Sequence, residues 1–218
     1  MLLGDHILSL YCERQGFGLL AEPLNALSNL AFFIAAWKLW AETGTRSLHA
    51  ASSLRLLAGL IAVVGAGSLA FHVFATRWAS ILDVASIGIF NLCYLVTFLR
   101  TIPRWPWTRA MAAAAAYLVV DRATAALMPA GVLNGSGMYL PALTVLVALS
   151  GWACRISPET GRMMAAAAGV FVVSLTARTI DRSICDVWPW GTHFLWHMLN
   201  AWVLYQLSRA LQFGRAVV

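Results

Sequence analysis

Charged side chains are scarce in this chain of 218 residues: 11% of the residues are charged, whereas 61% are hydrophobic. A soluble domain carries about 25% charged residues and about 45–50% apolar residues. Folded around a single core in water, a chain of this composition would leave much apolar surface exposed, so lipid is the solvent that suits it. The length allows one domain, residues 1–218, and the apolar segments leave no room for a soluble one.

Two other signals are missing. Residues 1–10 lack the basic start and the uninterrupted apolar stretch of a cleaved signal peptide, so we expect the first membrane span to direct insertion. The net charge of +6 does not form a nucleic-acid-binding patch, because most basic residues gather on one side of the predicted membrane. The sequence therefore predicts the membrane, and no nucleic acid, as its partner.

Seven apolar segments have the length of about 20 residues that crosses a bilayer. The sequence therefore predicts an all-α fold, a seven-transmembrane helix bundle with an N-terminal extracytoplasmic segment. The predicted spans are Leu24–Trp40, Arg55–Phe74, Ser80–Leu99, Arg109–Leu127, Met138–Cys154, Met163–Ile180 and His193–Leu211.

The basic residues predict the orientation of these spans, since cytoplasmic loops are enriched in Lys and Arg. Arg122 lies within the fourth span. The side with fewer basic residues, which we assign as the outside, holds Arg14, Arg77, Arg178 and Arg182. We therefore expect the C-terminus in the cytoplasm, the N-terminus outside, and residues 1–23 as a segment over the outer face. The residues on the cytoplasmic side are Lys38, Arg46, Arg55, Arg100, Arg104, Arg109, Arg155, Arg162, Arg209 and Arg215.

Five polar residues stand out inside the spans. Ser68 and His72 end the second span, Asp83 opens the third, and His193 and His197 open the seventh. A spacing of four places both members of each pair on one face of a helix. In the predicted orientation all five lie toward the outer face, and polar groups at membrane depth are costly and usually functional. Three helices thus converge on one polar layer.

The combination of these residues favours a metal site over their separate interpretations. A single buried histidine is commonly structural, and Ser68 could bond to its own helix backbone. Three histidines with an open fourth position are typical of catalytic zinc, and a nearby carboxylate can take a proton. A nucleophilic triad of Ser68, His72 and Asp83 is the alternative, but it leaves His193 and His197 without a role. The pattern predicts a metal-dependent membrane hydrolase.

These motifs resemble those of the alkaline ceramidases. The shared features are Ser-x-x-x-His at Ser68 to His72, an aspartate eleven residues later, and His-x-x-x-His on the last span. The family belongs to a wider superfamily of seven-span metal hydrolases with the adiponectin-receptor and hemolysin III proteins. Further matches to the family are Tyr11-Cys-Glu-Arg14, Ala21-Glu-Pro-Leu-Asn25, Ser28-Asn29 and Asp181-Arg-Ser-Ile-Cys185.

The resemblance implies a role for each of the five residues. His72, His193 and His197 would bind zinc, Asp83 would hold and deprotonate the attacking water, and Ser68 would hydrogen-bond the water or the developing oxyanion. It implies an integral-membrane amidase that hydrolyses ceramide or a related N-acyl lipid to a fatty acid and an amine.

The resemblance also implies a calcium site and a disulfide in the N-terminal segment. The first aspartate of the family's calcium site is replaced here by Leu10. Ion pairing of Glu13 or Glu22 with Arg14 is the competing interpretation. Cys12 and Cys185 match the disulfide of the family, whereas Cys93 and Cys154 are expected to be free. The residues implied for calcium are Glu13, Glu22, Tyr11 and Gln15.

The substrate is open at this level. A site in the outer-leaflet half, walled by apolar helices, suits a two-chain lipid with a scissile bond near its headgroup, and no residue reads out sphingoid hydroxyls. Alanine- and arginine-rich composition with short loops favours a bacterial inner-membrane protein. The alternatives are a zinc hydrolase acting on another lipid and a non-catalytic seven-span sensor with structural zinc.

Overall fold

The computed structural model describes residues 9–44, 48–129 and 131–213, apart from the side chains of 48–50. These residues form helices and no strand, which confirms the predicted all-α class. Short 3-10 segments lie at Val132–Tyr139 and Asp181–Ile184. The α-helices are α1 (Pro23–Ser28), α2 (Leu30–Ala41), α3 (Leu48–Phe74), α4 (Arg77–Thr101), α5 (Trp107–Leu127), α6 (Leu140–Ile156), α7 (Pro158–Ile180) and α8 (His193–Ala210).

Five helical stretches in the described part of the chain are long and apolar enough to cross a membrane. Their mean hydropathy ranges from 1.3 to 2.1. These helices support the membrane class, and they correspond to the second through sixth predicted spans. The five stretches are Ala51–Phe74, Arg77–Thr101, Trp107–Leu127, Val132–Ile156 and Pro158–Ile184.

The first predicted span is divided into two shorter helices, α1 and α2, at Asn29. The Ser28 hydroxyl and the Asn29 amide both donate to the carbonyl oxygen of Asn25, at 2.7 and 2.8 Å. Such side-chain bonds compete with the helical hydrogen bonds of the backbone. Neither half alone has the length of about 20 residues that a span requires.

Helix α8, the seventh predicted span, is not among the five apolar stretches because its buried face is polar. His193, His197, Asn200 and Ser208 are all buried. The helix packs against α1, α2, α3 and α7, so these side chains meet protein. Polar residues of membrane helices generally face the bundle interior, because exposing them to lipid is costly. The seven-span topology stays a prediction.

Most of the core is one cluster of buried apolar side chains that extends from α2 to α8, with Leu39, Leu57 and Phe98 among its most buried members. A smaller cluster consists of Tyr11, Phe71 and Ala79. Outward-facing positions are also apolar. Trp37 and Val119, for example, are 72% and 68% exposed. In water this outer surface would be unfavourable, whereas lipid solvates it.

Candidate metal centre

Three histidines meet at one end of the bundle. His72 lies in the last turn of α3, and His193 and His197 lie one turn apart at the start of α8. They are 0%, 2% and 1% exposed, and their ring nitrogens lie within 4.8 Å of one another. Nε2 of His72 is 3.1 Å from Nε2 of His197. The spacing of four places His193 and His197 on one face of α8, and the packing of α3 against α8 brings His72 to them.

The partners of the Nδ1 atoms determine which ring nitrogens carry protons. His72 Nδ1 donates to the Glu22 carboxylate at 2.5 Å. The Ser28 hydroxyl uses its proton on the carbonyl of Asn25, so it accepts from His197 Nδ1 at 2.7 Å. A neutral imidazole has one protonated nitrogen, so both Nε2 atoms present lone pairs to each other. Two facing lone pairs require a cation or a proton between them, and a divalent metal fits this donor set.

Glu22 lies directly behind the metal-facing ring of His72. One carboxylate oxygen accepts from His72 Nδ1, and from the Asn25 amide at 3.1 Å, while the other pairs with Arg14. Burial alone would raise the pKa of Glu22, but the hydrogen bonds from His72, Arg14 and Asn25 outweigh it and lower that pKa. Glu22 therefore stays ionised and orients the ring, as carboxylates behind metal-binding histidines do.

Glu13 has a different role from Glu22. Its carboxylate accepts from the backbone N–H groups of Leu24 and Asn25 at 2.6 and 2.8 Å, at the start of α1. Burial raises the pKa of Glu13, and these two bonds offset part of the rise. Gln15 is exposed. Among the described residues, the three histidines are the one group of at least three His, Cys, Asp or Glu side chains close enough for a metal, so calcium stays a prediction.

Tyr11 covers the histidine cluster from the N-terminal segment. Its ring stacks on His193 with centroids 3.5 Å apart and planes 14° apart. Burial raises the pKa of the Tyr11 phenol, so the side chain is neutral. The family resemblance implies that Tyr11 binds calcium, whereas the observed contact of its side chain is with a histidine.

A disulfide joins Cys12 to Cys185, the pair that the family resemblance implies. Beside it, the buried Asp181 carboxylate accepts three backbone N–H bonds, from Cys12 at 3.0 Å, Thr192 at 2.7 Å and His193 at 2.9 Å. Gly191 has φ +64°, and a Cβ there would collide with the Asp181 carboxylate. The disulfide and Asp181 thus hold the N-terminal segment against the start of α8.

Ser68 and Asp83 lie on the open side of the histidine cluster. The Ser68 hydroxyl is 3.4 Å from His197 Nε2 and also interacts with the Asp83 carboxylate. Ser68, Asp83 and His197 line one cavity. Asp83 is half-buried at its wall. The structure therefore brings together all five residues that the sequence singled out.

The cavity continues from this cluster into the bundle between α3, α4, α5, α6, α7 and α8. The cavity has a volume of about 80 Å³, and apolar side chains form most of its wall. Leu95, Leu149 and Leu207 line its far end. The arrangement is a cluster of polar side chains at one end of a largely apolar cavity, a lining that suits an apolar ligand.

Arg178 is a buried cation that sequence reasoning missed. It is 8% exposed and donates to the Asn134 carbonyl at 2.9 Å and the Ser136 hydroxyl at 2.8 Å. On the sequence it is an arginine in the last turn of a span, a pattern typical of interfacial positions, so no signal marked it. The aromatic rings around its guanidinium are those of Tyr11, Tyr139 and Trp196.

Apolar helices around a buried three-histidine cluster define an α-helical membrane protein with a candidate metal centre. The family model of the ceramidases matches residues 11–217, and the chain belongs to the ceramidase family. This confirms the resemblance seen in the motifs. Membership implies an amide hydrolase with a lipid substrate at the membrane. A comparison with curated protein sequences returned no match.

Proposed function

We propose that this protein is an integral-membrane, zinc-dependent amidase that hydrolyses ceramide or a related N-acyl lipid to a fatty acid and an amine. The observation that carries the proposal is the pair of buried Nε2 atoms of His72 and His197, which lie 3.1 Å apart while the Nδ1 atom of each ring is hydrogen-bonded elsewhere. That arrangement opens on an apolar cavity through Ser68 and Asp83. A candidate cation site beside a largely apolar cavity supports hydrolysis of a lipid.

His72, His193 and His197 would hold the zinc ion. When bound there, zinc supplies Lewis acidity toward a carbonyl and toward water. Glu22 and Ser28 keep Nδ1 of His72 and His197 protonated, so Nε2 of each ring stays available as a ligand. The same two residues fix the ring orientations.

Asp83 acts as general base and then as general acid. It takes a proton from the attacking water as the water oxygen bonds to the amide carbon. It returns that proton to the nitrogen as the carbon–nitrogen bond breaks, leaving a fatty acid and an amine. The Ser68 hydroxyl donates to the carbonyl oxygen as negative charge develops there.

The same proposal places the chain as a seven-span protein of a bacterial inner membrane. The two halves α1 and α2 together form the first span, and α8 forms the last. The basic residues support an external N-terminus and a cytoplasmic C-terminus. A disulfide between Cys12 and Cys185 is compatible with that side, where oxidation is permitted.

Zinc content and hydrolysis, measured on one preparation, test the proposed function. Purified protein is assayed for metal and then incubated with ceramide, other N-acyl lipids and lipid esters. We expect about one zinc per chain and release of fatty acid from an N-acyl lipid. Zinc with ester cleavage alone would support a hydrolase for another lipid, and zinc without turnover would support a sensor.

A further inference from the structure

Away from the histidine cluster, three polar side chains line the cavity, which we call the channel. Asn91 and Tyr94 of α4 and Tyr117 of α5 all line it among apolar neighbours. Asn91 and Tyr94 are three positions apart, so they share a face of α4. The Asn91 amide donates to the Tyr117 hydroxyl over 3.4 Å. Asn91 and Tyr117 are therefore paired, and Tyr94 lies on the same face of α4 as Asn91, in a wall that is mostly apolar.

The Tyr94 hydroxyl has no hydrogen-bond partner among the described residues. The side chain is 6% exposed, and the hydroxyl is buried. Its ring lies between Phe90 and Phe98, with centroids 6.1 and 6.5 Å away, so neighbouring rings hold it in place. A buried hydroxyl without a partner is unfavourable. An occupant of the channel with a polar group at this level would satisfy it.

The position of the group along the channel selects the part of a lipid chain that it meets. Asn91 and Tyr94 follow Asp83 on α4 by eight and eleven residues, or about 12 and 16 Å of helix. Helical side chains lean toward the N-terminus, so the Tyr94 hydroxyl points back toward Asp83. A chain whose carbonyl lies beside Asp83 would reach this level near its middle.

We propose that Asn91, Tyr94 and Tyr117 form a subsite for a hydroxyl group near the middle of a substrate's acyl chain. This rests on the proposed function, because it places the scissile carbonyl beside Asp83. A hydroxyl both donates and accepts. The hydroxyl of the acyl chain can accept from the Tyr94 hydroxyl and donate to the side-chain amide oxygen of Asn91. The preferred substrates are therefore N-acyl lipids with hydroxylated chains.

Competition binding of fatty acids to the whole purified protein tests the subsite without requiring turnover. A fluorescent fatty acid is displaced by a saturated long-chain acid, by its mid-chain hydroxy derivative, or by the derivative hydroxylated next to the carboxyl group. We expect the mid-chain derivative to bind about tenfold more tightly than the unsubstituted acid, a ratio equivalent to 1.4 kcal/mol. The derivative hydroxylated next to the carboxyl group should have no advantage.

The variant Tyr94→Phe removes only the unpartnered hydroxyl, so it should fold and bind the unsubstituted acid as the parent does. Its preference for the mid-chain derivative should fall to about twofold or less. Because hydroxylation changes how an acid partitions into detergent, preferences are compared between variant and parent. The control is Tyr205→Phe, since the Tyr205 hydroxyl bonds to Glu42 outside the channel.

Equal affinity of the parent for the mid-chain and unsubstituted acids would overturn the subsite, as would a full preference in Tyr94→Phe. Failure of all three acids to displace the probe would overturn it too. Hydrolysis is measured separately on the same preparation. Tighter binding of the mid-chain derivative without hydrolysis of any N-acyl lipid would reject the proposed function and leave the subsite standing. Hydrolysis of an N-acyl lipid with no preference for the mid-chain derivative would reject the subsite and leave the proposed function standing.

Discussion

The two ends of α8 differ in the balance of polar and apolar contacts that hold them. At the histidine end, polar atoms pair across distant elements: His197 with Ser28 of α1, and the His193 backbone with Asp181. At the opposite end, Leu207 and Leu211 are buried among apolar side chains, and the polar contacts of that end, Tyr205 with Glu42 and Thr160 with the carbonyl oxygen of Ala210, do not involve these two leucines. Hydrogen bonds depend on single atoms and on direction, whereas apolar packing tolerates changes of shape that conserve volume. We therefore expect small substitutions to act strongly at one end and weakly at the other.

The largest effect is expected from the histidines themselves. His193→Ala or His197→Ala should reduce zinc from about one ion per chain to a trace, because two ligands do not complete a zinc site. Metal analysis after purification measures this, and chelation of the parent should abolish hydrolysis reversibly. At the opposite end, Leu211→Met should keep its zinc and cost less than about 1.5 kcal/mol. Full occupancy in either histidine variant would contradict the ligand assignment.

The second effect separates chemistry from architecture at the histidine end. Asp83→Asn should keep metal and fold but lower turnover by about 10²–10⁴-fold, since an amide cannot accept the proton of water. Zinc content and the hydrolysis rate are measured together. The matched control is Asp186→Asn, because Asp186 is exposed. Parental activity in Asp83→Asn would remove the general-base role.

The third effect tests the different roles of two neighbouring glutamates. Glu22→Gln should weaken zinc binding by about 10–100-fold, because the carboxylate that orients His72 is lost. Glu13→Gln should leave zinc affinity unchanged, since Glu13 bonds only to the backbone at the start of α1. Competition with a graded chelator measures both affinities. Equal losses in the two variants would argue against a specific role for Glu22.

The fourth effect concerns the disulfide that ties the N-terminal segment to the start of α8. Mass spectrometry without reductant should find the Cys12 and Cys185 peptides linked. Replacing both cysteines by serine should lower the free energy of unfolding by about 2–4 kcal/mol. Some zinc should remain, because Asp181 still holds His193. Free alkylation of both thiols in the parent would reject the bond and weaken the external assignment of the N-terminus.

The smallest effect is the response to calcium that the family resemblance implies. With Leu10 in place of an aspartate, we expect weak binding, with Kd of about 10⁻⁴–10⁻³ M. Calcium at about ten times Kd would then stabilise the protein by roughly 1.4 kcal/mol, and Glu13→Gln should abolish the response. Thermal melts with calcium, and with a chelator that spares zinc, measure it. Identical curves for the parent would leave Glu13 and Glu22 in their observed hydrogen bonds alone.

Pairs of residues that share one face of a helix could be predicted from the sequence. Ser68 with His72 and His193 with His197 lie on common faces because a helix repeats every 3.6 residues. Asp83 was found because a carboxylate near the start of an apolar span is costly. Arg178 was missed, since its ring and carbonyl contacts come from three other segments.

The division of the first span could also have been anticipated only in part. Ser28 and Asn29 are residues whose side chains bond to nearby backbone, but such residues also occur inside regular helices. In the structure both bond to Asn25, and Ser28 also contacts His197. The break therefore places the Ser28 hydroxyl against Nδ1 of His197, a contact that no local sequence pattern indicates.

The sequence by itself determined the membrane class, most of the helices and the five polar residues of the candidate site, because hydropathy and helical periodicity are local properties of the chain. Only the tertiary structure decided what supports that centre: Glu22 behind His72, Asp181 at the start of α8, and the Tyr94 level of the channel. Glu22 and His72 are 50 residues apart, and Cys12 and Asp181 are 169 apart. Contacts of this range follow from how helices pack against one another, and helix packing depends on the whole set of side chains at once.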